Sequence, residues 1–141
     1  MKNLKFIGAL IMLVVFTSCD KNQTAVRKLD GKWQVTEATA SNGVSSTTTT
    51  YASNNTSTYT FDNCKLKKDE YCNVAISQTI YGTNVSINQQ YRITDDGKTL
   101  EFKNGSFSST MTIVDLKGKD LTLQATNGSN STTIKLTKLD K

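Results

Sequence analysis

Strict alternation of residue type over ten positions is the feature that most limits how this chain can fold. Between residues 85 and 94, one set of alternate positions holds Val85, Ile87, Gln89, Tyr91 and Ile93, and the intervening positions are all polar. Side chains of a β-strand point to opposite faces in turn, so this period indicates a strand with one buried face and one wet face. Antiparallel sheets commonly have strands of this kind.

The chain after residue 30 repeats the pattern, with turn sequences such as Asp95-Asp96-Gly97-Lys98 and Asn104-Gly105 between the apolar runs. No segment shows a clear helical period. We therefore predict an all-β domain over residues 29–141, an antiparallel meander of about eight strands that closes into a barrel and so removes its edges. A two-sheet β-sandwich is the alternative. The polar stretch 41–57 is predicted to be mostly loop with a frayed edge strand.

Two further details of the pattern concern individual faces. The first strand is expected to place Trp33, Val35 and Glu37 on one face. Near residue 114 the apolar parity changes, because Met111 and Ile113 share one face whereas the next apolar residues fall on the other. Such a change predicts a β-bulge.

The N-terminus has the three parts of an export signal: two lysines, an apolar run too short to span a membrane, and small residues before a cysteine. Phe16-Thr17-Ser18-Cys19 resembles a lipobox. We predict a signal peptide over residues 1–18, lipidation of Cys19, and a flexible tether over residues 19–28. The expected location is the cell envelope, at the outer membrane. A secretory signal cleaved elsewhere is the main alternative.

Two other cysteines, Cys64 and Cys72, are expected to form a disulfide outside the cytoplasm. Their predicted strand parities differ, so an irregular turn must bring them together. Metal binding is a poor alternative, because the chain has no histidine and two thiolates do not complete a zinc site. We predict no metal and no cofactor.

Leu29-Asp30-Gly31-Lys32-Trp33, at the start of the first strand, resembles the Gly-X-Trp motif of lipocalins. The hairpin sequences 91–100 and 114–121 are similar to those of bacterial lipocalin-like domain lipoproteins. The resemblance implies that Gly31 turns the chain sharply into the barrel and that Trp33 plugs its closed end. The last strand, however, has no arginine to pack on this tryptophan.

Charge and residue types also narrow the function. The formal net charge of +5 comes from scattered lysines, which favours solubility over nucleic-acid binding. No catalytic residues are predicted: the chain lacks histidine, and its paired carboxylates fall in turns. We therefore do not expect an enzyme.

Two binding functions are left. One is binding of a small apolar ligand in or at the barrel by inward-facing residues. The candidate ligand-lining residues are Tyr59, Phe61, Tyr91, Phe102 and Met111. The same side chains could instead fill the interior. The other is an anchored interaction module with a solid barrel, for example an envelope inhibitor, in which the 41–57 segment meets a protein or glycan partner.

Overall fold

The computed structural model describes residues 20–67 and 70–140. The predicted signal peptide and the lipidated Cys19 lie outside the described residues. The elements follow one another along the chain as a helix, α1 (Lys21–Leu29), and nine strands: β1 (Gly31–Ser41), β2 (Ser46–Thr50), β3 (Thr58–Phe61), β4 (Cys72–Ile80), β5 (Thr83–Thr94), β6 (Thr99–Asn104), β7 (Phe107–Lys117), β8 (Asp120–Asn127) and β9 (Asn130–Lys138).

The strands form a closed antiparallel barrel of eight strands with one extra strand, β2. From β3 to β9 each strand pairs with the next, and β9 returns to pair with β1. The other edge of β1 is shared, because β3 pairs with residues 31–34 and β2 pairs with residues 37–41. The β1–β9 pairing confirms the predicted barrel and excludes the sandwich.

The two ends of the barrel differ in packing. At one end, which we call the closed end, the inward-facing side chains are almost fully buried; they include Trp33, Phe61, Val74, Tyr91, Leu100, Leu121, Leu123 and Leu136. The opposite, open end carries the turns β1–β2, β4–β5, β6–β7 and β8–β9. The core therefore occupies the closed half of the barrel.

The predicted tether is wrong over most of its length, because residues 21–29 form α1 across the closed end. Ala25, Val26 and Leu29 are buried, at the spacing i, i+1, i+4 that puts side chains on one helix face. The Asp20 carboxylate caps the helix by accepting from the backbone N–H groups of Asn22 and Gln23. Burial of this apolar face against the barrel stabilises a segment whose polar composition alone favours coil.

We expect Asp20→Ala to lower the free energy of unfolding by about 1 kcal/mol, because two helix N–H groups lose their acceptor. Urea denaturation followed by circular dichroism measures this loss. Asp20→Asn is the matched control, since it keeps the acceptor oxygen and should retain most of the stability. Equal stability of Asp20→Ala and the wild type would contradict the capping role.

Two β-bulges adjust which side chains face inward. The pairing of β7 with β8 skips Val114, which confirms the predicted bulge. The pairing of β1 with β9 skips Thr36, which the sequence did not predict. The extra residue turns Glu37 to the outside, where it forms a 2.8 Å ion pair with Lys135. The expected shared face of Trp33, Val35 and Glu37 therefore ends at Val35.

The segment 41–57 contains the edge strand that was predicted, in the form of β2. Its threonines pair with the open-end half of β1 and are all exposed. Tyr51 follows β2, donates its backbone N–H to the Thr36 carbonyl, and packs against the core cluster. The segment is therefore held against the barrel wall by the pairing of β2 with β1 and by the Tyr51 contacts.

Candidate functional site

Trp33 lies at the end of the barrel that α1 covers. Its ring is fully buried, and its indole Nε1–H donates to the Leu29 carbonyl at 2.7 Å. Gly31, two residues earlier, has φ +113°, and an added Cβ would lie 3.2 Å from the Lys138 side chain. The positive φ favours glycine there, and any larger residue would also have to displace the end of the Lys138 side chain.

Lys138 packs on the Trp33 ring, a contact that the lipocalin resemblance would assign to an arginine of the last strand. Its Nζ lies 5.2 Å from the centroid of the Trp33 ring and donates to the Lys28 carbonyl at 3.0 Å. A cation over an indole face is attracted by the ring quadrupole. The sequence carried a usable signal, a basic residue at the end of the last strand, but lysine was not considered for this role.

The five predicted ligand-contact residues divide into two groups. Phe61 and Tyr91 lie in the packed layer, 1 % and 0 % exposed, with their rings edge to face at 5.1 Å. The Tyr91 hydroxyl donates to the Asp62 carbonyl at 2.7 Å. Burial raises the pKa of Tyr91, and the charges of Asp62 and Asp30 raise it further. These two side chains support the layer above them and offer no free surface to a ligand.

Tyr59, Phe102 and Met111 are less completely buried: Phe102 is 6 % exposed, and Tyr59 and Met111 are partly buried and pack against the core. The Tyr59 and Phe102 rings are 6.4 Å apart, and Tyr59 is only partly buried. Burial raises the pKa of Tyr59, and Tyr51 adds to that effect. Tyr51, within the stretch 41–57 that was predicted to be mostly loop, is partly buried and packs against the core cluster.

Above this layer the interior opens to solvent. The strand register gives one set of residues inward parity in the open half, and these residues are partly or fully exposed. We call them the cup: Ala38, Tyr59, Ile76, Ile87, Gln89, Met111 and Ile134. Inward-facing side chains are therefore almost fully buried at the closed end of the barrel and partly exposed at its open end.

One cavity of the open half has a volume of about 260 Å³ and lies at the ends of β5, β6 and β7. Its lining residues are Gln89, Phe102, Asn104, Phe107, Ser108 and Ser109. All but Ser108 have inward parity, as the register of these strands shows. The volume is slightly below the ~300 Å³ typical of small-molecule sites, so it suits part of a ligand. Of its lining residues, only Phe102 was predicted.

Larger cavities lie at the closed end, beside α1. One of about 390 Å³ lies between α1 and the bulge of β7, and one of about 590 Å³ lies between α1 and the segment 63–66. Neither is lined by the predicted aromatic residues. Both are clefts along the packing boundary of the helix.

The disulfide predicted between Cys64 and Cys72 is confirmed, with Cα atoms 5.6 Å apart. An irregular segment after β3 brings Cys64 to β4, as the parity difference required. The same segment holds α1, because the Gln23 side chain donates to the Cys64 carbonyl at 2.8 Å and accepts from the Leu66 N–H at 2.7 Å. The disulfide thus stabilises the contact between helix and barrel.

A charged cluster lies on the outer wall of β5 and β6. Glu101 accepts hydrogen bonds from Arg92 at 2.7 Å and from the Tyr71 hydroxyl at 2.8 Å. Arg92 and Lys103 both lie over the Tyr71 ring. Burial opposes ionisation of Glu101, but the hydrogen bonds from Arg92 and Tyr71, with the charges of Arg92 and Lys103, hold its pKa below the ordinary value. Its groups are partnered with one another, which indicates a structural role.

The lowered pKa of Glu101 predicts a pH-dependent contribution to stability. A carboxyl group whose folded pKa is depressed stabilises the fold above its unfolded pKa, near 4.5, and loses this effect as pH falls toward the folded value. We expect the stability advantage of the wild type over Glu101→Gln to shrink between about pH 6 and about pH 3. Denaturation curves across this range measure it. An advantage that grew as the pH fell would contradict the assignment.

Within residues 20–67 and 70–140, no group of three or more acidic, cysteine or histidine side chains is placed to bind a metal ion. In the same part of the chain, no helix combines the length and the apolar character needed to cross a membrane.

The barrel, its closed end and its Gly-X-Trp motif agree with the result of a comparison with known protein families. A family model described as a lipocalin-like domain matches residues 14–139, most of the chain. The chain belongs to the lipocalin-like domain family. No curated protein matches it.

A lipocalin-like domain is consistent with ligand binding, and the cup with the cavity beside it is the candidate site. Of its members, only Tyr59, Phe102 and Met111 were predicted as ligand contacts. Alternation alone shows which residues share a face, and it does not show how far along each strand the core ends.

Proposed function

We propose that this lipocalin-like protein binds a small apolar ligand in the open half of its barrel. The observation that carries the proposal is the gradient of burial along the interior, from a fully packed closed half to the partly exposed cup. Exposed apolar residues that line a concave site favour binding, because each methylene removed from water contributes about 0.8 kcal/mol. The family supports ligand binding in general.

The contact residues of this proposal are Tyr59, Phe102 and Met111 at the bottom of the cup, with Ile87 and Ile134 on its walls. Phe61 and Tyr91 act indirectly, by holding the floor rigid. A rigid floor limits the entropy that must be lost on binding.

A matched pair of variants tests the proposal. Ile87 faces inward and is 38 % exposed, whereas Asn88, the next residue, faces outward and is exposed. We expect Ile87→Lys to weaken binding of the neutral apolar probe N-phenyl-1-naphthylamine at least tenfold, and Asn88→Lys to leave it unchanged. Fluorescence titration measures both. If the probe does not bind the wild type, or if both variants bind equally, the proposed site is wrong.

We also propose that lipidation of Cys19 anchors the protein in the cell envelope, at the outer membrane. Support comes from the lipobox resemblance and from the position of Asp20, which caps α1 at the closed end. An anchor at the preceding residue would set the closed end against the bilayer and direct the cup away from it. Three acyl chains would make the attachment effectively permanent.

Fractionation of cells tests the anchor. We expect the full-length protein in the outer-membrane fraction and its Cys19→Ala variant in the soluble fraction. Asp20→Asn serves as the control for a neighbouring change and should stay membrane-bound. Membrane association of Cys19→Ala would disprove lipid anchoring.

A second candidate function is an interaction module, favoured by exposed apolar residues at three open-end turns. Val44, Tyr81 and Phe107 are 96 %, 103 % and 81 % exposed. Because Tyr51 packs inward, a protein or glycan partner would meet these turns and not the centre of the 41–57 segment. Replacing all three residues by serine should abolish partner capture without lowering stability. Capture that persists would leave ligand binding as the better explanation.

A further inference from the structure

Charged residues are confined to one half of the barrel. The stretches 38–60, 73–90, 104–112 and 123–134, which build the open half, contain no aspartate, glutamate, lysine or arginine, and the chain has no histidine. In place of charges they carry threonine, serine, asparagine and glutamine. The interior and the rim of the cup are therefore neutral as well as partly polar.

From this distribution we infer that the ligand is an uncharged lipid-like molecule whose polar end carries hydroxyl or carbonyl groups, such as a monoacylglycerol, and not a fatty-acid anion. The inference rests on the proposed function and names the class of ligand for the same site. Its polar end would lie in the 260 Å³ cavity of β5–β7, with its acyl chain over Tyr59 and Met111.

The chemistry of the cavity matches a neutral head group. Gln89 and Asn104 supply amide groups that both donate and accept hydrogen bonds, and Ser109 supplies a hydroxyl. Phe102 forms an apolar floor and the exposed Phe107 an apolar wall. Such donors and acceptors satisfy hydroxyl and carbonyl groups at about 1 kcal/mol per bond.

A carboxylate has no comparable partner in the cup. Transfer of an ion from water into a partly apolar site is costly unless a counter-charge pairs with it. The cations nearest the open half point outward and are already engaged: Lys135 pairs with Glu37, and Lys103 lies over the Tyr71 ring. Lys138 is at the closed end, on Trp33.

Titration of the full chain with two ligands of equal acyl length tests the inference. At pH 8 and low salt, 1-monododecanoylglycerol should displace N-phenyl-1-naphthylamine at least ten times more effectively than dodecanoate, and added salt should not change its affinity. Equal affinity for dodecanoate would overturn the inference while leaving the proposed function intact. If neither ligand displaces a bound probe, the inference also fails. If the probe itself does not bind, both proposals fail.

A gain-of-function variant tests where the polar end lies. Asn104→Lys places a cation in the cavity and should raise the affinity for dodecanoate at least tenfold. Thr110→Lys is the matched control, because Thr110 lies on the outward face of β7, opposite Glu101, and is exposed; it should leave that affinity unchanged. Circular dichroism verifies that both variants fold. An unchanged dodecanoate affinity in Asn104→Lys would overturn the assignment of this cavity.

Discussion

Trp33→Ala should lower the free energy of unfolding by about 3–5 kcal/mol, the loss expected for removal of a fully buried large side chain. The ring has 0 % exposure and fills the space between α1 and the barrel. Its removal leaves a cavity, deprives the Leu29 carbonyl of its 2.7 Å donor, and leaves Lys138 without its aromatic partner. Among single substitutions we expect this one to be the most damaging.

Urea denaturation followed by far-ultraviolet circular dichroism is the appropriate measurement, because Trp33 is the only tryptophan and the tryptophan fluorescence signal disappears with it. Trp33→Phe is the control: it retains much of the apolar volume and should cost clearly less than alanine. A loss below about 1 kcal/mol for Trp33→Ala would mean that the closed end repacks around the gap.

Reduction of the Cys64–Cys72 disulfide should lower stability by about 2.5 kcal/mol, the chain-entropy value for a loop of this length. The two cysteines are eight residues apart in sequence, and Cys72 is buried. Reduction also frees the segment that hydrogen-bonds to Gln23. We therefore expect faster amide hydrogen exchange in α1 as well as a lower unfolding midpoint.

Denaturation with and without a phosphine reductant measures the difference in the wild type. The double variant Cys64→Ala/Cys72→Ala should already be destabilised and should show no further response to the reductant. If the reductant leaves the stability and the exchange of α1 in the wild type unchanged, the disulfide does not stabilise the fold.

Much of the barrel follows from local pattern. The alternation at Val85–Ile93, the turn at Asp95–Gly97 and the parity change at Val114 each depend only on residues close in sequence, so each could be predicted. The bulge at Thr36 could not, because it depends on which residue of β9 lies opposite Glu37. The register between β1 and β9, which are distant in sequence, is fixed only when the sheet closes, so the sequence pattern of β1 alone does not reveal it.

The helix α1 was missed for a related reason. Ala25, Val26 and Leu29 have helical spacing, and Asp20 is a good cap, but a nine-residue polar helix is not stable by itself in water. Contacts of Asn22 and Gln23 with turns far along the chain, at Gly97 and at Cys64, hold it in place. A local pattern cannot reveal partners separated by tens of residues.

The amino-acid sequence by itself determined that this protein is an antiparallel β-domain with a disulfide, and that Gly31 and Trp33 lie where its barrel begins. Alternation period, turn residues and cysteine spacing are short-range properties, and each can be read from residues close in sequence. Only the tertiary structure decided that α1 covers one end, that Phe61 and Tyr91 are fully buried, and that the cup is exposed to solvent and lined by uncharged residues. Those features depend on how far the core extends along the barrel axis, which is set by contacts among all eight strands together.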